Sequence, residues 1–426
     1  MHPLLYDLIY SLVFIFYVPI FLGKSLIKRK AFANLKDRLG LIHPKKKKNG
    51  KIIWIHAVSV GEFLSIRKLV ELIEKKSPQT NIIISTITPP AYALAQKYLS
   101  SRCFICYFPF DWSFSVKKAL HNINPDLIIL MESEFWPNFL YFCKKCHKTV
   151  MTANGRVSEK AFKGYMKVQK FFKTRLEAIS LFCMQSQSDA DRLMQIGVEE
   201  KRIQVTGNMK FDSKPSENIE VLRAVEQWIG TCPSLLAGST MKGEEELLLE
   251  IFNKLKMDFN TLKLIIAPRN PDRFDEVAQI IKDKGFALCR RTHKVITESD
   301  VFLLDTIGEL PSLHKLASVV LVGGSIKPFG GHNVIEAAYY KKPIVIGEYM
   351  ENFADIVSYF LKNEACVQTP FKGLYAALKK LFSAEELRKK LGENAYKVIE
   401  QNNGATNKVF YHINALLDAR RSTLDS

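Results

Sequence analysis

The sequence predicts an α/β protein made of two Rossmann-like domains of similar size that face each other across a cleft. Three observations lead there. Short apolar runs alternate with amphipathic helical patterns along most of the chain. Most runs are continuously apolar, as in a parallel sheet covered on both faces by helices. The series breaks once, near "KPSENIE" at 214–220, and then begins again.

The first series predicts strands at 51–57, 81–88, 103–109, 126–132, 149–154, 180–186 and 202–208. The second predicts strands at 234–239, 262–268, 286–290, 301–305, 319–324 and 343–347. From about Ala384 the pattern is helical and charged. The expected divisions are a membrane anchor at 1–30, a first domain at 31–215 and a second at 216–426. In open parallel sheets ligands bind beyond the carboxyl ends of the strands.

The 426 residues are 47% hydrophobic and 24% charged, which excludes a disordered chain. Lys and Arg exceed Asp and Glu by 18. That excess suits nucleic acid, an anionic membrane or a phosphorylated substrate. With no zinc-finger spacing, RNP pattern or recognition helix, nucleic acid is not expected. From Leu4 to Leu22 the chain is apolar except at Asp7, Ser11 and Pro19, and Lys24, Lys28, Arg29 and Lys30 follow. The run nears the roughly 20 residues that span a bilayer. It has neither the charged start nor the small-residue cleavage site of a secretory signal. The expectation is an anchor, spanning or lying in the interface, with the remaining chain cytoplasmic. "PKKKKNGK" at 44–51 would face anionic headgroups or be a solvated linker.

Two C-x-x-C pairs, Cys103/Cys106 and Cys143/Cys146, imitate a zinc site. The pairs lie too far apart for a zinc ribbon, and a strand through "CFIC" would point its cysteines to opposite faces. Free thiols in packed strands are expected. "DAD" at 189–191 has a metal-binding form but sits at a helix start, where Ser188 could cap and both acids suit the helix dipole. No metal is expected.

Polar or glycine-rich segments follow almost every strand. Glu62 follows the first strand, Glu132 and Glu134 the fourth, Asn154 and Arg156 the fifth, and Asn208 and Lys210 the seventh. In the second series come "GSTMKGEEE", "PRNPDRF", "DTIGEL" and "GGSIKPFGGHNVIEAA". Gly330 and Gly331 would let the backbone approach a ligand, and a helix would then open with N–H groups suited to phosphate. Asn333 and Glu336 would share one face of it, with Glu336 accepting from two ribose hydroxyls. Neither a P-loop nor a nicotinamide G-x-G-x-x-G is present.

"HAVSVGE", "MESEFWPN", "GNMKFD", "AGST", "APRNPDRF", "DTIGEL" and "GGHNVIEAA" occur in this order. Together they resemble the 3-deoxy-D-manno-oct-2-ulosonic acid (Kdo) transferases of lipopolysaccharide synthesis. The resemblance implies a GT-B fold with a C-terminal helix that crosses back. It implies inverting, metal-independent transfer of Kdo from CMP-Kdo to lipid IVA at the cytoplasmic face of the bacterial inner membrane. It leaves open the number of Kdo residues added. It also implies roles: Glu62 as general base, and Lys210 with Glu132 or Glu134 stabilising the transition state. Pro268, Arg269, Gly308, Glu309, Leu310, Asn333, Val334, Ile335 and Glu336 would form the CMP-binding segments. One departure is Glu348, where members tend to carry proline after the glycine of "GEYMENF". That puts acceptor or loop detail, not the chemistry, in question.

A helix N-terminus would keep Glu62 ionised, as a base requires. A carboxylate in reach of the acceptor hydroxyl contributes about 10²- to 10⁴-fold. Lys210, Arg269 and helix N-termini would meet the charge developing on the leaving phosphate. Two other readings remain at this stage. One is another GT-B enzyme, a UDP-sugar transferase or an epimerase; the other is a membrane-anchored binding protein without activity.

Overall fold

A computed structural model describes residues 2–25, 34–45, 50–293 and 298–424, with the backbone alone at 16–25 and 420–424. The chain forms two compact units. The first comprises Met1–Ser213 and Asn403–Ser426, and the second Lys214–Asn402. The sequence reading divided the chain at 215/216 and gave residues 216–426 to the second domain, with terminal helices that cross back. The helix Glu385–Asn402 stays there, while the last helix, Ala405–Leu424, returns to the first unit. Its Ala405, Val409 and Ile413 are buried against Ile66, Leu69 and Met209, so packing, not sequence order, assigns it.

In the first unit seven strands form one sheet: β1 (Ile52–His56), β2 (Asn81–Thr86), β3 (Phe104–Tyr107), β4 (Leu127–Met131), β5 (Thr149–Gly155), β6 (Leu181–Met184) and β7 (Ile203–Val205). Their order is β3-β2-β1-β4-β5-β6-β7, and every pairing is parallel. Both faces are covered. Trp54 of β1 packs with Ile128, Phe139 and Phe182 on one face, while Ile53 and Ile55 pack with Phe63, Ile66 and Ile129 on the other. That alternation within an unbroken apolar strand is the two-residue period of the pleat. Cys103 and Cys106 fall in opposite cores, as the strand reading of "CFIC" requires.

The second unit repeats the plan with β8 (Ser234–Thr240), β9 (Lys263–Pro268), β10 (Leu288–Arg290), β11 (Val301–Leu303), β12 (Val319–Val322), β13 (Ile344–Ile346) and β14 (Val367–Gln368). Their order is β10-β11-β9-β8-β12-β13-β14, again parallel throughout. Only β14 escaped the sequence reading. It is two residues long, exposed on one of them, and has no apolar run to mark it. In each sheet the strand order reverses once, between β1 and β4 and between β8 and β12. Such a switch point opens a crevice at the carboxyl ends, where ligands sit.

The helix Pro3–Ser25 is docked on the first unit by its polar residues. The Asp7 carboxylate accepts from Ser113 N (2.9 Å) and Asn138 Nδ2 (2.7 Å), and Ser11 Oγ accepts from the Trp112 indole (2.9 Å). Leu4, Leu5, Leu8, Ile9, Leu12, Val13 and Ile15 remain exposed. Among the described residues no helix is long and apolar enough to cross a membrane. The expected anchor is thus unconfirmed as a span. Lys28, Arg29, Lys30 and the lysines at 46–48 lie outside the described residues.

Candidate active site

Glu62 stands at the switch point of the first sheet, where β1 gives way to the helix Val60–Lys76. Ser59 caps this helix, and Glu62 is its reciprocal partner. Ser59 Oγ accepts from Glu62 N (3.3 Å) and donates to Glu62 Oε1 (2.9 Å). Ser59 N donates to Oε1 (3.3 Å) and Val58 N to Oε2 (2.9 Å). "S-V-G-E" is therefore a capping box, which aims the carboxylate back over the turn and not along the helix. Thr86 and Thr88 both donate to Val58 O, fixing the loop from β2.

The expectation that the helix start alone keeps Glu62 ionised needs correction. Glu62 is only 6% exposed. Burial, with the nearby charge of Glu132, lifts its pKa to about 7 against the lowering pull of those hydrogen bonds. Near neutral pH it is divided between its two forms, the range in which a general base works best.

Glu132 follows β4, the strand paired with β1, so the switch point brings it beside Glu62. Its backbone is left-handed (φ 53°), an unusual conformation for a glutamate and one enriched at functional sites. Lys210 Nζ lies 3.4 Å from Glu132 Oε1. Glu134 instead accepts from the Trp136 indole (2.9 Å). Burial, followed by the charge of Glu62, lifts its pKa to about 8. The two glutamates that sequence could not separate thus differ: Glu132 is the partner of Lys210, and Glu134 is held by its neighbouring indole. Lys210 sits in the 3-10 turn Met209–Asp212 just after β7.

In the second unit Arg269 is exposed after buried Pro268, at the end of β9. Its charge reaches His332 and Glu336. Burial raises the pKa of Glu336, opposed by a hydrogen bond from Asn333 (Nδ2 to Oε1, 3.2 Å) and by Arg269. His314 Nδ1 is 4.0 Å from Glu336 Oε2, but burial lowers its pKa to about 4, so it stays neutral there. The expected helix is shorter than the pattern suggests, Ile335–Tyr339. Asn333 precedes it and accepts from Ile335 N (3.1 Å). Val334 and Ile335 are buried. Gly308 is left-handed (φ 88°) and precedes Glu309, which opens the short helix Leu310–Leu313.

Several of the expected ligand-facing groups prove to be internal struts. Gly330 and Gly331 have left-handed φ, and a Cβ there would lie 2.3 Å from Asn352 and 2.2 Å from Met350, so the close approach they permit is to the protein itself. Glu309 is buried and accepts from Arg291 (3.1 Å to each oxygen), Asn218 (3.0 Å) and Thr306. Glu244 accepts from the N–H groups of Met241, Gly324, Ile326 and Lys327. Glu245 holds Thr240 and Arg273. In "DAD", Asp189 accepts from Val157 N and Ser186 Oγ, and Ser186, not Ser188, caps the helix Gln187–Ile196.

Residues 33–213 match the family described as 3-deoxy-D-manno-octulosonic-acid transferase (kdotransferase), and residues 239–398 match glycosyl transferases group 1. A 3-deoxy-D-manno-octulosonic acid transferase of Haemophilus influenzae is 30% identical over 365 residues, 84% of this chain and 85% of that protein. The chain belongs to the 3-deoxy-D-manno-octulosonic acid transferase family. A Kdo transferase of Rickettsia typhi is also 30% identical, over 82% of this chain and 76% of its own. A glycosyltransferase structure from Rickettsia africae shares the fold, with a TM-score of 0.59 at 15% identity over 87% of this chain and 99% of its own. As a Kdo transferase family member this is a glycosyltransferase enzyme, which sets aside the reading as an inactive binding protein.

Sequence reasoning passed over two features of this family member. His332 lies inside "GGHN", yet was assigned no role. Burial and Arg269 lower its pKa to about 4, and among the described residues its shielded Nε2 has no hydrogen-bond partner. Asn154, noted only as a polar residue after β5, is fully buried, left-handed (φ 53°), and accepts from Met209 N at the Lys210 turn. A buried asparagine directly after a strand was the available signal.

The geometry predicts the acidic limb of the pH–rate profile. If ionised Glu62 is required, activity falls as pH drops through about 7. Replacing Glu132 by Gln removes a like charge, so the Glu62 pKa falls and the limb moves to lower pH. A limb that stays in place or moves upward in Glu132→Gln would contradict the coupling.

Proposed function

We propose that this protein transfers Kdo from CMP-Kdo to lipid IVA, a lipid A precursor, with inversion and without a metal ion. The observation that carries this reading is the buried Glu62 beside the Glu132–Lys210 pair, divided between its acid and base forms near neutral pH. In the proposed reaction the acceptor hydroxyl attacks the anomeric carbon of Kdo and gives its proton to Glu62. The new C–O bond forms as the bond from that carbon to the phosphate oxygen breaks, and CMP leaves with the electron pair. One displacement on the face opposite CMP inverts the centre. Lys210, kept in place by Glu132, stabilises charge that grows in this step.

The second unit holds the nucleotide in this reading. Arg269 is a fixed cation beside neutral His332 and Glu336. Glu336, oriented by Asn333, accepts from the ribose hydroxyls. The glycine-turn segment Gly308–Leu310 offers backbone groups, since its glutamate is already engaged. No step needs a Lewis acid, because lysine, arginine and backbone N–H groups supply positive potential.

In this proposal the acceptor is a phosphorylated lipid and the reaction runs at the cytoplasmic face of the bacterial inner membrane. The exposed apolar face of the helix Pro3–Ser25 and the net charge of +18 support attachment to an anionic bilayer.

Detergent-solubilised protein given CMP-Kdo and lipid IVA with EDTA should release CMP and form product, and product mass counts the Kdo residues added. Turnover only with UDP-sugars, or turnover that EDTA abolishes and Mg²⁺ restores, would overturn the donor or the metal-free reading respectively. Binding to acceptor-free anionic vesicles should weaken as salt rises; insensitivity to salt would remove the electrostatic part of the membrane reading.

A further inference from the structure

Lys210 does not sit on a strand or a long helix. It sits on a single turn, Met209–Asp212, and its contact with Glu132 is at 3.4 Å. Such a short element keeps a side chain in place only if both of its ends are held. The first end is held from the sheet. Asn154 Oδ1 accepts from Met209 N (2.9 Å), and Asn208 Oδ1 accepts from Lys210 N (3.0 Å). Gln185 bridges these two asparagines, donating to Asn154 O (2.9 Å) and accepting from Asn208 Nδ2 (2.8 Å).

The second end is held by Asp212, and its partners come from far along the chain. The Asp212 carboxylate accepts from the backbone N–H groups of Gly404 and Thr406, 192 and 194 residues away in sequence. These N–H groups open the last helix, Ala405–Leu424, where the chain re-enters the first unit. Asp212 lies one residue before the chain leaves that unit. It is 3% exposed, and the returning helix buries Val409 and Ile413 in the same core as Met209 and the Val60–Lys76 helix that carries Glu62. A carboxylate at a helix N-terminus ordinarily caps its own helix from the adjacent residues. This one caps the helix from the Lys210 turn, so the helix anchors the turn as much as the turn caps the helix.

We infer that Asp212 is a positioning residue: it ties the turn carrying Lys210 to the returning C-terminal helix and thereby sets where Lys210 acts. The inference rests on the proposed role of Lys210 in the transition state. A shift of about 1 Å in a positioned group can cost up to about 100-fold in rate. Loss of one of the two bonds to Asp212 should therefore reach kcat through Lys210 while leaving the nucleotide segments of the second unit alone.

The test is a double-mutant cycle on the full-length, detergent-solubilised protein, with Asp212→Asn, Lys210→Gln and both together. Asparagine keeps one acceptor oxygen, so the fold is retained. Thr406→Pro deletes one donor from the opposite side, at a first-turn position that tolerates proline, and serves if Asp212→Asn does not fold. Turnover of CMP-Kdo onto lipid IVA, CMP affinity and the unfolding midpoint are measured for each. Asp212→Asn should lower kcat about 10-fold with the KM for CMP-Kdo nearly unchanged. In the Lys210→Gln background it should lower kcat less than about 2-fold, since the group it positions is gone. Losses that multiply in the double variant, or a lowered unfolding midpoint with unchanged kcat, would show a helix cap and nothing more. An unchanged kcat in Lys210→Gln alone would instead overturn the role of Lys210, and the inference with it.

Discussion

The bonds from Val58 N and Ser59 N to the Glu62 carboxylate are what the first unit is arranged around. They fix a charge-bearing group in a place that water hardly reaches, at the end of β1, while β4 delivers Glu132 beside it. Desolvation and the like charge, less the pull of the hydrogen bonds, leave ionisation opposed by about 3 kcal/mol relative to water. The hydrogen bonds of the capping box resist that without cancelling it. The outcome is a carboxylate that can both hold and release a proton near neutrality, where an exposed helix-start glutamate would be a much weaker base. Lys210 offsets part of the negative charge by pairing with Glu132, and so it is tied to the same balance.

The strands were legible because a parallel sheet buried on both faces demands unbroken apolar runs, and few other elements do. Among the described residues most strands carry such a run; β14 does not, and was missed. Which acids were chemical was less legible. A capping box and a catalytic base write the same letters, "S-V-G-E", and here the proposed base is also the capping-box glutamate. In the second unit, "GEEE", "PRNPDRF" and "DTIGEL" looked alike as polar loops, yet Arg273, Glu244 and Glu309 are struts with partners 28, 80 and 91 residues away in sequence, at Glu245, Gly324 and Asn218. Nothing local in sequence tells a ligand-facing acid from one that closes a loop. The crossing back of the last helix was expected from the resemblance and is observed; what stayed hidden in the sequence is its tie to Asp212, 194 residues from Thr406.

The two units divide the work as their switch points suggest. In the first, the residues gathered at β1 and β4 are acids with one lysine, the equipment for moving a proton. In the second, the loops after β9 and β12 bring together a cation, a neutral imidazole and a single oriented carboxylate, which the proposal assigns to the nucleotide. His332, with its shielded and unpartnered Nε2 among the described residues, is a polar group in that second cluster whose role sequence did not anticipate.

The account stands or falls on Glu62 as the base. The most direct measurement is turnover of CMP-Kdo onto lipid IVA by the wild type and by Glu62→Gln, with CMP affinity measured on both. The account predicts that turnover drops by about 100-fold or more while CMP affinity is unchanged, because the amide cannot accept the proton and the nucleotide segments lie in the other unit. A variant that turns over at the wild-type rate would make Glu62 a helix cap alone and contradict the account.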